Sequence, residues 1–134
     1  MLDPQSALIY TMVLVSAADR EMTDAELRTI GESVKHLPVF SGYDHDSLVS
    51  TASDCAEKLS SDDGFTKVME QIQANLPKKL AETAYALACD VAAADRKVSQ
   101  EEIELLAVIR QSLGVGRLPA AAIERGARAR HMTL

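Results

Sequence analysis

The stretch "VSAADREMTDAE" at residues 15–26 returns as "VAAADRKVSQEE" at residues 91–102, and this repetition decides the fold. In both stretches, here called the first motif and the second motif, small apolar residues lead to an Asp-Arg pair. A hydroxyl residue follows after a short gap, and a glutamate follows three residues later. Four acidic residues occupy equivalent positions at an offset of 76 residues: Asp19, Glu26, Asp95 and Glu102. The chain therefore holds two copies of one structural unit.

Each motif is typical of a junction between two helices. A Ser or Thr followed three residues later by Glu is the signature of a capping box, which begins a helix. Thr23 with Glu26 and Ser99 with Glu102 both fit this pattern. Because apolar residues recur at helical spacing on both sides of each motif, each copy is predicted to be a helical hairpin.

The fold class predicted for the whole chain is all-α. No stretch alternates apolar and polar residues as a strand does, and helix start and stop signals predict about seven helices. They form a bundle with an internal pseudo-twofold repeat of helical hairpins. The 134 residues are expected to be a single domain, divided into repeat 1 (about 4–37), linking helices (about 44–76), repeat 2 (about 77–113) and a C-terminal helix (about 118–130).

Helix starts and inward faces follow from the same signals. The predicted helix starts are the Asp3-Pro4 pair, Thr23, Ser61 or Asp62, Pro77, Ser99 and Pro119. The inward apolar positions are predicted to include Leu8, Met12, Val15, Leu27, Ile30, Val34, Leu37, Cys55, Phe65, Val68, Ile72, Leu87, Val91, Ile103, Leu106, Ile109 and Leu113.

Composition narrows the possible functions. The net charge of −6 argues against a general nucleic-acid binder. Cys55 and Cys89 lie within helical apolar patterns, which favours free thiols in a reducing compartment over a disulfide. The apolar stretch 7–18 is too short to span a bilayer. We therefore expect a cytoplasmic protein without a transmembrane segment.

Capping explains the glutamates and the hydroxyl residues of the motifs, but it does not explain Asp19 and Asp95. Each aspartate falls at the C-terminal end of a predicted helix, where the helix dipole disfavours a negative charge. Two sources of compensating positive charge are possible. Arg20 and Arg96 follow the aspartates directly in sequence, and a bound metal ion is the other source.

A metal site is expected if the two hairpins pack so that the motifs converge. The ligands would be the side chains of Asp19, Glu26, Asp95 and Glu102. Four carboxylates without Cys or His suit a hard divalent cation such as Ca²⁺, Mg²⁺ or Mn²⁺. An EF-hand is excluded because the twelfth residue from the aspartates is Ile30 or Leu106 instead of glutamate. No P-loop or Glu-x-x-His pair occurs either.

Several other polar residues are better explained without a functional site. Asp90 is interpreted as a residue at the edge of an apolar stripe with a hydrogen-bond partner. The histidines are interpreted as surface residues, and the residues after 130 as a frayed end. The arginines of 117–130 are interpreted as a solvated helix face.

The two motifs resemble the "A-x-D-G-x-[VF]-[ST]-x-x-E" phrases of the tellurite-resistance TerB-like family, and of the related N-terminal domain of a DnaJ-like co-chaperone. The resemblance covers residues 9–116. It implies a seven-helix fold with twofold internal symmetry, an acidic cluster at Asp19, Glu26, Asp95 and Glu102 that is a candidate metal site, and membership of a family without an established enzymatic activity. The family usually has glycine where this chain has Arg20 and Arg96.

Two functional hypotheses follow. The first is a non-enzymatic domain that binds a divalent cation at the paired acidic motifs and serves tellurite or stress resistance. The alternative is a protein-interaction module in which Arg20 and Arg96, or a basic partner, neutralise the acidic cluster without a metal. The identity of a protein partner and the oligomeric state stay open.

Overall fold

The computed structural model describes residues 2–18, 22–94 and 98–134. Within these ranges it contains seven α-helices and no β-strand, which confirms the all-α prediction. The helices are α1 (Pro4–Ser16), α2 (Asp24–His36), α3 (Leu48–Leu59), α4 (Gly64–Asn75), α5 (Ala81–Ala93), α6 (Gln100–Leu113) and α7 (Arg117–Arg130). Short 3₁₀ segments occupy Pro38–Phe40, His45–Ser47 and Lys78–Leu80.

Helix α1 is the centre of the bundle. Every residue from Ala7 to Ser16 is buried, as expected for a helix that is apolar around its whole circumference. It packs most extensively against α5, and α3 and α4 cover its other sides. The buried hydroxyl of Thr11 donates to the carbonyl oxygen of Ala7 at 2.9 Å, so it is satisfied within the helix.

The two hairpins exchange contacts in a reciprocal way. Helix α2 of the first hairpin packs against α5 of the second, and α6 of the second hairpin contacts α1 of the first. The paired helices also have similar lengths, 13 residues for α1, α2 and α5 and 14 for α6. Helix α7 then covers the outer side of α5. This exchange pairs the helices as the predicted pseudo-twofold repeat does, although α2 contacts α5 more extensively than α6 contacts α1.

Two predicted helix starts are wrong by a few residues. Helix α4 begins at Gly64 after Asp63, which has a left-handed backbone (φ 56°), and not after Ser61 or Asp62. Helix α5 begins at Ala81, because the residues after Pro77 first form a 3₁₀ turn.

The C-terminal helix starts earlier than predicted. Helix α7 begins at Arg117, and Pro119 is its third residue. A proline is tolerated there because the first N–H groups of a helix have no acceptor within the helix. At the other end of the chain, α1 stops at Ser16, and Ala17 and Ala18 form a turn.

Two residues predicted to face the core are half exposed, and they are equivalent in the two repeats. Leu27 is 49% exposed and Ile103 is 50% exposed. Each is the fourth residue of its helix, and Met22 or Val98 precedes the corresponding cap. These are the positions of a hydrophobic staple, in which apolar residues on either side of a helix start pack against each other instead of entering the core.

Phe65 and Leu37 were also predicted to be inward, and they are 40% and 37% exposed. Phe65 lines an open surface groove next to Leu14 of α1. Leu37 follows the last residue of α2 and has an extended backbone before Pro38, so the helical spacing no longer applies to it. The other predicted core positions are buried or pack against the buried core.

No helix within the described ranges is both long and apolar enough to cross a membrane.

Candidate functional site

The first motif forms the predicted capping box at the start of α2. The hydroxyl oxygen of Thr23 accepts a hydrogen bond from the backbone N–H of Glu26 at 3.1 Å. In return, Oε1 of Glu26 accepts one from the backbone N–H of Thr23 at 3.0 Å. This exchange satisfies two of the N–H groups that a helix start leaves without intrahelical acceptors.

The second motif repeats this geometry at the start of α6. Oγ of Ser99 accepts from the N–H of Glu102 at 3.1 Å, and Oε1 of Glu102 accepts from the N–H of Ser99 at 3.0 Å. The distances match those of the first motif. The structure thus confirms both capping boxes that were predicted from the sequence.

Burial distinguishes these two glutamates from ordinary capping residues. Glu26 and Glu102 are both 0% exposed, whereas capping glutamates normally reach solvent and glutamate is rarely buried in full. Removing a carboxylate from water costs several kcal/mol unless cations or hydrogen-bond donors compensate for it. The same full burial occurs at the same place in both repeats, so it is a property of the repeated unit.

A groove brings the end of the first hairpin's inner helix next to the start of α6. Ala17 and Ala18, the last described residues before the first Asp-Arg pair, line it together with Glu101 and Leu105. Its volume is about 320 Å³. Glu101 is the sequence neighbour of the buried Glu102. The first motif and the second hairpin therefore meet at this groove.

The other two predicted ligands, Asp19 and Asp95, lie outside the described residues, and so do Arg20 and Arg96. Within residues 2–18, 22–94 and 98–134, no group of three or more Asp, Glu, His or Cys side chains could hold a metal ion. Of the four predicted ligands, only Glu26 and Glu102 lie within the described residues, and the four-carboxylate metal site stays a prediction.

Asp90 has the partner that was expected for it. Its Oδ1 accepts from Nη2 of Arg130 at 2.7 Å and lies 3.5 Å from Nε2 of His131. Asp90 thus ties the end of α7 to α5. Of the other histidines, His36 lies on the surface 2.9 Å from Glu32. His131 is partly exposed, which agrees with a surface position, and it also lies beside Asp90.

Sequence reasoning missed a cavity between α5, α6 and α7. It is open to the surface and has a volume of about 420 Å³. Small side chains of α5 and α7 form its floor, and the residues after α7, expected to be frayed, line one side. Its lining is Cys89, Ala92, Ala93, Val98, Leu106, Glu124, Ala127, Arg128, His131, Met132 and Thr133.

Glu124 and Cys89, which both line this cavity, belong to an unusual cluster with the buried Tyr85. The hydroxyl of Tyr85 donates to Oε2 of Glu124 at 2.5 Å. Burial raises the pKa of Tyr85 well above its usual range, and the hydrogen bond to Glu124 raises it further. Burial also raises the pKa of the Cys89 thiol to about 12, so this thiol is protonated at neutral pH. The run of alanines near the end of α5 is the sequence signal that could have indicated this cavity.

Comparison with models of protein families assigns the chain to a family. The family model described as "Tellurite resistance protein TerB" matches residues 5–125, which is most of the sequence. The chain belongs to the TerB family. Comparison with curated proteins gives no match, and comparison with solved structures gives none either. Within this TerB domain, the seven helices and the two capping motifs are the features that the sequence had predicted.

Proposed function

We propose that this TerB-family chain is a non-enzymatic domain that binds a divalent cation between its two motifs, and that it serves tellurite or stress resistance. The observation that carries the proposal is the full burial of Glu26 and Glu102 at equivalent positions of the two hairpins. Buried carboxylates require positive charge or hydrogen-bond donors nearby, and a divalent cation provides that charge for several of them at once.

The chemistry of the donors fits such an ion. Carboxylate oxygens without thiol or imidazole ligands suit Ca²⁺, Mg²⁺ or Mn²⁺ and not zinc. Asp19 and Asp95 would supply further carboxylate oxygens to the ion. Each lies seven residues before the buried glutamate of its motif, so the two motifs would offer equivalent pairs of ligands. The groove that joins Ala18 to Glu101 supports the idea that the two motifs share one site.

Isothermal titration calorimetry with Ca²⁺, Mg²⁺ and Mn²⁺ tests the proposal. We expect saturable binding by the wild-type chain and a higher melting temperature with the bound ion, since a ligand of the native state stabilises it. The variant Asp19→Asn/Asp95→Asn should lose both effects. Asp24→Asn, which removes an exposed carboxylate of the first turn of α2, is the matched control and should bind as the wild type does.

Flat titrations for the wild type would contradict the metal proposal. They would favour the alternative, a protein-interaction module in which Arg20 and Arg96 or a basic partner compensate for the acids. In that case Arg20→Gln/Arg96→Gln should lower the free energy of unfolding, while added EDTA should leave the wild type unchanged. No metal-dependent gain in stability is expected under this alternative.

A further inference from the structure

We infer that the cavity between α5, α6 and α7 is a binding site for a small amphipathic carboxylate, a medium-chain fatty acid being the simplest example. The cavity lies outside the paired capping boxes, and the inference does not depend on metal binding. It rests on the volume of the cavity, the apolar character of its floor and the charges at its two ends.

The volume and lining are those of a small-molecule site. Pockets that hold such ligands have volumes of about 300–1,000 Å³ and mostly apolar walls with a few polar groups. This cavity has about 420 Å³. Its apolar floor and walls come from Ala92, Ala93, Val98, Leu106 and Ala127. An aliphatic chain of several carbons would bury its surface there, with a gain of about 0.8 kcal/mol per CH₂ group.

One face of α7 places opposite charges at the two ends of the cavity. Glu124, Ala127, Arg128 and His131 are spaced as neighbours on one side of a helix. The first and last of them are separated by about 10 Å along the helix axis. The carboxylate of Glu124 is held toward α5 by the hydroxyl of Tyr85, so the cationic end is the one at Arg128 and His131.

Arg128 is the group that would bind the carboxylate of a ligand. Arg130 already pairs with Asp90, and His131 lies beside the same carboxylate. Arg128, in contrast, forms no ion pair with any residue that the structure describes. A guanidinium that is free to form a bidentate pair at the edge of an apolar cavity complements a ligand with an aliphatic body and an anionic head.

Calorimetry with octanoate and with its neutral analogue octanol tests this site on the full chain. We expect octanoate to bind the wild type. Ala93→Leu places a larger side chain in the cavity from a partly exposed position of α5. It should lower the affinity for octanoate and for octanol at least about tenfold. Arg128→Gln should lower the affinity for octanoate by about tenfold, which is the loss expected for a charge-assisted hydrogen bond. It should leave the affinity for octanol unchanged. Melting curves confirm that each variant is folded.

Arg125→Gln is the matched control, because Arg125 is an exposed arginine of α7 that does not line the cavity. It should bind octanoate as the wild type does, and this comparison decides the question even if Ala93→Leu fails to fold. Three results would overturn the inference: no heat with millimolar octanoate, equal losses for Arg125→Gln and Arg128→Gln, or full binding by a folded Ala93→Leu variant. Binding only to anionic lipid vesicles, or dimerisation abolished by Ala93→Leu without any octanoate heat, would also overturn it.

Discussion

Gly64 shows how closely the backbone is packed where α3 turns into α4. A Cβ atom at this position would overlap the carbonyl oxygen of Lys58 and would lie 2.7 Å from that of Leu59. Both are backbone atoms, which cannot rotate away as a side chain can. The turn also contains Asp63 in a left-handed conformation. The sequence "SSDDG" at 60–64 predicts a helix boundary there, but only the structure shows that its glycine is required by contact.

Replacing Gly64 with alanine should therefore destabilise the protein. We expect Gly64→Ala to lower the free energy of unfolding by about 1–3 kcal/mol, the usual cost of forcing extra atoms into a packed site. Gly31→Ala is the control, since nothing lies within 4 Å of the added atom and Gly31 is inside α2. It should raise stability by about 0.5–1 kcal/mol because alanine favours helix. Urea unfolding measures both values, and similar effects of the two substitutions would contradict the packing argument.

At the scale of the helices, the sequence predicts starts well where a side chain caps them. Thr23 and Ser99 were placed correctly because their capping function uses residues only three positions apart. The prediction of inward-facing residues was less accurate, because tertiary packing determines which apolar side chains are buried. Leu27 and Ile103 continue the apolar spacing of their helices but stand at staple positions, and spacing alone cannot distinguish a staple position from a core position.

In the candidate site, too, the local features were predicted from the sequence and the tertiary features were not. Glu26 and Glu102 were recognised both as caps and as acidic partners from local sequence, but nothing local predicts that they are fully buried. Full burial depends on which other elements pack over a helix start, and the sequence of the start itself does not specify this. The cavity at α7 was missed for the same reason: its walls come from three helices that are distant in sequence.

The two capping boxes should contribute equally to stability. Thr23→Ala and Ser99→Ala should each lower the free energy of unfolding by about 1 kcal/mol, because each leaves an N–H group of the helix start without its acceptor. Thr66→Ala, at an exposed position inside α4, should be neutral or slightly stabilising since alanine has the higher helix propensity. Chemical denaturation of the four proteins measures these differences. A loss at Thr66 as large as those at the caps would show that the hydroxyls act in some other way.

On the scale of the whole molecule, buried thiols lie in both halves of the core. Cys55 is in α3, which packs on α1, and Cys89 is in α5, which packs on α7. Sγ of Cys55 donates to the carbonyl oxygen of Tyr10 at 3.9 Å. Burial raises the pKa of the Cys55 thiol to about 12, and the nearby ammonium group of Lys58 opposes this shift only in part. The folded chain thus keeps both thiols protonated at a pH where an unfolded chain would lose the protons.

This difference predicts a loss of stability in alkali. The unfolded thiol has a pKa near 9.0 and the folded Cys55 thiol one of about 12. The contribution of the protonated Cys55 thiol to the free energy of unfolding is therefore complete below about pH 9. Above that pH the contribution decreases by up to about 1.4 kcal/mol per pH unit, because the unfolded state then binds fewer protons than the folded state. Urea unfolding at pH 8, 9 and 10 should show a steeper decline for the wild type than for Cys55→Ala. The substitution itself costs stability at every pH, so the slope and not the absolute value is compared. Equal slopes for the two proteins would mean that the Cys55 thiol is accessible to solvent and that α3 does not seal against α1 as the structure shows.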